Sequence, residues 1–217
     1  MSTSLKDSQA NFILKSRVAL TNVETQPEIA AEMAELGYDA AKISEGKSLI
    51  ANVEAALNLQ QDEKGEESAA SAAFKEIRSK VSALFRAHRK KALFAFLDDP
   101  DAVKNLGINV SPATVYADWR NEVGHFYDTL LTNETYLQSV NQVKLTTEEL
   151  TAAKELLPSM DAAYSEYYRE TGESQEATRK KDEALHALET YMRRFWRAAD
   201  IALEDKPQLK EALMKGV

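Results

Sequence analysis

Two Glu-x-x-His pairs, Glu122/His125 and Glu183/His186, are the residues of this chain whose types and spacing come nearest to a chemical device. On two helices of a four-helix bundle, such pairs join single glutamates from two others to hold paired iron or manganese ions. That chemistry requires the ligands to project inward. With Val123 at the centre of its apolar face, His125 points about 160° away, and with Leu188 at the centre His186 does the same. Both pairs therefore read as polar surface, and the chain is expected to hold no metal and no cofactor. The third histidine, His88, lies on an apolar stripe and reads as a core or boundary residue with one hydrogen-bond partner. There is no cysteine, which excludes disulfides, thiolate catalysis and Cys-ligated zinc or iron–sulfur. No Gly-rich phosphate loop, nucleophile elbow or HExxH motif is present, so no residue is assigned a catalytic role.

A second set of residues points to binding. Pro158 interrupts an otherwise helical pattern, where it removes a backbone hydrogen bond and is expected to kink the helix. Aromatic residues are concentrated in the second half of the chain, several of them after that proline. A kink beside tyrosines can open a pocket with apolar walls and hydroxyl tips. The expected ligand-binding walls are Trp119, Met160, Tyr164, Tyr168 and Phe195. The competing expectation is that the aromatics fill the space the kink creates.

The elements that must position these residues are written twice. Shifted by 107 positions, the second half reads over the first without a gap: Pro100 meets Pro207, Gly65-Glu66 meets Gly172-Glu173, and Arg86 meets Arg193. Each copy reads as the same run of helices. The first covers about 5–22 and 112–131, with Ser111 as N-cap and Pro112 at the first helical position. The second covers about 28–36 and 134–142, and Gly37 can end its first copy in the left-handed conformation. The third begins at matched caps, Asp39 and Thr146. Thr146 and Glu149 have the spacing of a capping box, with Leu145 and Leu150 as its staple, and Tyr38 and Ile43 take the staple positions in the first copy. Gly65 and Gly172 are expected to break this helix. A long fourth helix then covers about 67–97 and 174–204, and Pro100 and Pro207 open a short last one. The expectation is an all-α protein, a tandem duplication of a helical unit packed as a pseudo-two-fold helical bundle. Its repeats are 1–110 and 111–217, joined too closely by Gly107–Ser111 to be free domains and expected to form one compact body.

The net charge of −8 argues against nucleic acid as a partner, which needs a basic face to displace counterions. The basic run Arg86–Lys91 sits in the last turns of a long helix, where cations oppose the negative end of the dipole, and reads as a solvated face, with contact to a phosphate or nucleic acid as the weaker alternative. No stretch approaches a membrane span and the N-terminus lacks a signal-peptide core, so a cytoplasmic location is expected and no membrane partner. The closing pattern Ala202-Leu-Glu-Asp-Lys-Pro207-Gln-Leu-Lys-Glu-Ala-Leu213, with Phe126-Tyr-Asp-Thr-Leu-Leu-Thr-Asn133, resembles a group of uncharacterised all-helical bacterial proteins of the Bacteroidetes. The resemblance implies a bacterial origin and brings no activity with it. The sequence thus favours a non-enzymatic helical scaffold or protein-interaction protein. A small-molecule binder or enzyme using an aromatic pocket in the second repeat is the alternative. Oligomeric state stays open, a monomer being consistent with a duplication that replaced an ancestral dimer.

Overall fold

The computed structural model describes residues 3–214. Met1, Ser2 and positions 215–217, including the Val217 that meets Val110 in the 107-position alignment, lie outside the described residues. Among the described residues eight helices run in order: α1 (Thr3–Thr25), α2 (Pro27–Glu35), α3 (Ala40–Ala95), α4 (Pro100–Asn105), α5 (Tyr116–Thr132), α6 (Glu134–Gln142), α7 (Thr147–Ala202) and α8 (Pro207–Met214). The fold is all-α, with no strand among the described residues. Helix α6 starts and stops 107 positions after α2, α7 starts and stops 107 positions after α3, and α8 starts 107 positions after α4.

The start and stop signals act as their chemistry dictates. The Asp39 carboxylate accepts the Lys42 amide at 2.9 Å. Thr146 and Glu149 close the capping box, each side chain accepting the other's amide, at 3.2 and 3.3 Å. Asp99 caps α4 by accepting the Ala102 amide, and Pro100 follows where a missing N–H costs nothing. At the end of α2, Gly37 takes φ 82° and the Tyr38 amide reaches back to the Met33 carbonyl. At the end of α6 the same bond runs from Leu145 to Val140, and the left-handed position is Lys144, at φ 58°. A non-glycine residue there costs on the order of 1–2 kcal/mol.

Two expectations fail. Gly65 and Gly172 do not break a helix, because α3 and α7 run straight through them. One interior glycine costs about 1 kcal/mol, and the flanking glutamates and lysines are good helix formers. Ser111 and Pro112 do not start α5, which begins at Tyr116. The Ala113 amide instead donates to the Glu122 carboxylate at 2.9 Å, which holds the chain out of the helix there.

The compact units do not follow the two sequence copies 1–110 and 111–217. Unit 1 comprises 1–64 and 173–217, and unit 2 comprises 65–172. Each therefore takes the early helices of one expected repeat and the late helices of the other, and both cuts fall beside Gly65 and Gly172. Unit 1 has its own core, with Leu20, Ile29, Met33, Leu188, Met192 and Phe195 fully buried. In unit 2 the core is built on Phe126, Tyr127, Leu130, Leu145, Leu150 and Met160.

Candidate functional site

Four of the five expected ligand walls, Trp119, Met160, Tyr164 and Tyr168, lie in unit 2. Phe195 does not join them. It is fully buried in the core of unit 1, edge-on to Tyr38 at 5.5 Å and to Trp196 at 5.1 Å. Periodicity along α7 places Phe195 on an apolar face but says nothing about which core that face serves. Only the assignment of the last part of α7 to unit 1 decides it.

In unit 2 the rings pack against one another. Tyr164 stacks on Tyr116 with centroids 4.1 Å apart, lies 5.2 Å from Phe74, and meets Tyr168 edge-on at 4.7 Å. Tyr167 stacks over Phe74. Beside them Arg120 grips the Asp161 carboxylate with two nitrogens, at 2.7–3.1 Å, and the Tyr116 hydroxyl donates to the same carboxylate at 3.3 Å. Burial, reinforced by the Asp161 charge, pushes the Tyr116 phenol up to about 12. The hydrogen bond from Arg120 to Asp161 raises the guanidinium in turn. This group is an ion pair roofed by rings. Met160 is fully buried, whereas Pro158 faces solvent and α7 stays helical through it.

At the corresponding place in unit 1 the aromatics are missing. Gln9, Leu57, Gln60 and Gln61 stand where unit 2 has Tyr116, Tyr164, Tyr167 and Tyr168. There the surface opens into a cleft of about 700 Å³, edged by the Arg17–Glu54 ion pair.

The histidines do structural work or face solvent. His125 is exposed and bonds the Asn105 carbonyl at the end of α4 at 2.7 Å, while its partner Glu122 caps the Ala113 amide. His186 is exposed on α7. His88 is buried, with Nδ1 3.1 Å from the Tyr127 hydroxyl. Burial lowers its pKa, the Lys91 charge adds to that, and Glu149 opposes it. Burial raises the Tyr127 phenol too, so both groups stay neutral at pH 7.

Two surface features escape a reading built on apolar stripes. At the end of α3, Leu93, Phe94 and Leu97 lie off the buried stripe of Val81, His88 and Ala92, and Phe94 and Leu97 are 71 and 72 % exposed. Their position off the stripe is visible in the sequence, though their exposure is not. The second feature is a cleft of about 550 Å³ between α3 and the 112–119 segment, with three arginines in its lining. None of the described helices is long and apolar enough to cross a membrane. The chain matches no family model, no curated protein and no solved structure.

Proposed function

We propose that this chain is a non-enzymatic helical interaction protein, which binds a partner protein through the exposed end of α3. The observation that carries the reading is the patch Leu93, Phe94 and Leu97. Apolar residues scattered singly on a surface need no explanation, but three within one and a half turns do. In unit 1 the equivalent positions hold Asp200, Ile201 and Glu204, so the fold does not demand apolar residues at two of the three, though Ile201, the counterpart of Phe94, is apolar and 65 % exposed. Burying Phe94 and Leu97 against a partner would contribute about 1.5–3 kcal/mol each, enough to anchor an interface around a few residues. The rival reading, a small-molecule pocket walled by Trp119, Met160, Tyr164 and Tyr168, has less to rest on, since Met160 is fully buried and Tyr164 is covered by Tyr116.

The architecture behind this surface is read as a tandem duplication whose two copies exchange their late helices. The shared helix boundaries, the equal back-bonds at Tyr38 and Leu145, and unit cuts at the matched glycines support it. An experimental structure in which 27–64 fails to superpose on 134–171 would sink it.

The interaction reading is tested by placing a photo-crosslinking residue at position 94 in the native host, with position 76, exposed on the same helix, as control. A discrete adduct at 94 that disappears with Leu97→Ser, and is missing at 76, is expected. Identical adduct patterns at 94 and 76, or an adduct that Leu97→Ser leaves intact, would overturn it.

A further inference from the structure

We propose that the cleft between α3 and the 112–119 segment of unit 2 is a binding site for a small organic phosphate monoester. Arg78, Phe85, Arg86 and Arg89 line one side of α3, with Arg78, Phe85 and Arg89 spaced by seven and four residues on one face and Arg86 beside Phe85, and the opposite wall is Pro112–Thr114 with Trp119. The volume, about 550 Å³, is that of a small-molecule site. Three like charges along one side of a helix disfavour each other unless an anion lies among them. Among the described residues no carboxylate is within ion-pair distance of Arg78, Arg86 or Arg89. Two acidic groups belong to this wall, Asp118 within the segment and Glu122, which accepts the Ala113 amide.

The arginines are also held in place. The Arg78 guanidinium lies 5.6 Å from the Trp119 ring centre and 5.7 Å from that of Tyr116. Arg89 lies 5.9 Å from the Phe85 ring centre and donates to the carbonyl oxygens of Gly107 and Val110. Arg86 is exposed and lines the cleft. Aromatic faces restrain a planar guanidinium without consuming its five N–H donors. A phosphate monoester matches this: a dianionic head with three terminal oxygens suits forked donors, and an apolar body suits a lining of Phe85, Trp119 and Pro112.

The same positions in unit 1 argue for specific use. Leu185, Trp196 and Phe12 replace Arg78, Arg89 and Trp119, and only Arg193 remains, equivalent to Arg86. A chain of net charge −8 has thus assembled three cations in one cleft of one unit and not in the other.

The test is titration of the full chain with phenyl phosphate, followed by calorimetry and by the indole N–H signals of its two tryptophans. Saturable millimolar or tighter binding is expected, shifting the Trp119 signal and not that of Trp196. Inorganic phosphate and benzoate should bind more weakly, the first for want of a ring and the second for want of charge. Arg86→Gln should weaken phenyl phosphate about 10-fold or more, as for the loss of one charged hydrogen bond. Arg193→Gln, the same charge change at the equivalent exposed site, should leave it unaltered. Arg86 is exposed, so its variant folds even if Arg78→Gln does not. No saturable binding by the wild type would overturn the proposal. So would Arg86→Gln binding like wild type, Arg193→Gln losing as much, or benzoate binding as tightly as phenyl phosphate.

Discussion

Unit 1 and unit 2 solve the same packing problem with different side chains, and the exchanges come in pairs. Where unit 2 buries His88 against Tyr127, unit 1 buries Phe195 and Leu20. Where unit 2 sets Ala153 and Leu84, unit 1 sets Gly46 and Tyr191. A Cβ on Gly46 would come within 2.6 Å of the Tyr191 ring and 2.8 Å of Leu20, so the larger ring requires the smaller neighbour. Tyr191 cannot swing away cheaply, because its hydroxyl donates to the Lys42 carbonyl at 2.7 Å. The ion pairs tell the same story. Arg17 reaches Glu54 in unit 1, and in unit 2 the arginine comes from one turn earlier, Arg120 to Asp161. The position equivalent to Arg17 is Gly124, where an added Cβ would lie 2.8 Å from the Arg120 guanidinium. Close packing and one ion pair are common to both units while the residues that supply them differ, and the His88–Tyr127 hydrogen bond has no counterpart in Phe195 and Leu20.

The largest effect should separate the expected ligand walls into core and surface. Phe195→Ala should destabilise the protein by about 3–5 kcal/mol, read from urea midpoints. Tyr168→Ala, at a residue 57 % exposed, should stay within about 0.5 kcal/mol. Similar losses from both would break the distinction between the two regions.

Next comes the buried polar pair. His88→Phe leaves the Tyr127 hydroxyl buried without its partner and should cost about 1–3 kcal/mol. Adding Tyr127→Leu, which imports the unit 1 pair, should recover part of that loss rather than add to it. Simple additivity would show that the two side chains do not act as a unit. The pair also carries a pH signature. Because burial holds the His88 pKa below its usual value near 6.5, the unfolded chain binds more protons in the window beneath that value. Stability should therefore fall as the pH drops below about 6.5, and the slope should flatten in His88→Phe.

The glycines give a comparison of sign. Gly46→Ala should destabilise by about 1–3 kcal/mol through overpacking against Tyr191. Gly65→Ala meets nothing within 4 Å in a helix and should stabilise by up to about 1 kcal/mol. Thermal midpoints moving the same way in both variants would refute the close approach at Gly46.

Local chemistry was legible throughout. Caps at Asp39 and Thr146, the left-handed Gly37, the outward His125 and His186 and the buried His88 each depend on a few neighbouring residues, and the structure holds them as their chemistry requires. The sequence by itself determined the all-α class and the starts of α3, α4, α7 and α8, because periodicity, caps and prolines are short-range properties, but it misplaced the start of α5, put at Ser111–Pro112 and found at Tyr116. It misplaced the ends of α3 and α7 at Gly65 and Gly172, since a glycine penalty of about 1 kcal/mol is smaller than the cooperative stability of the turns around it. It placed Phe195 beside Tyr164, and it left the arginine cleft as a solvated face. Those depended on tertiary structure alone: which part of a long helix joins which core, and which loop closes over Arg78 and Arg89. Helix faces follow from the order of residues along the chain. Unit membership follows from burial summed over segments more than a hundred residues apart, and no local pattern carries that.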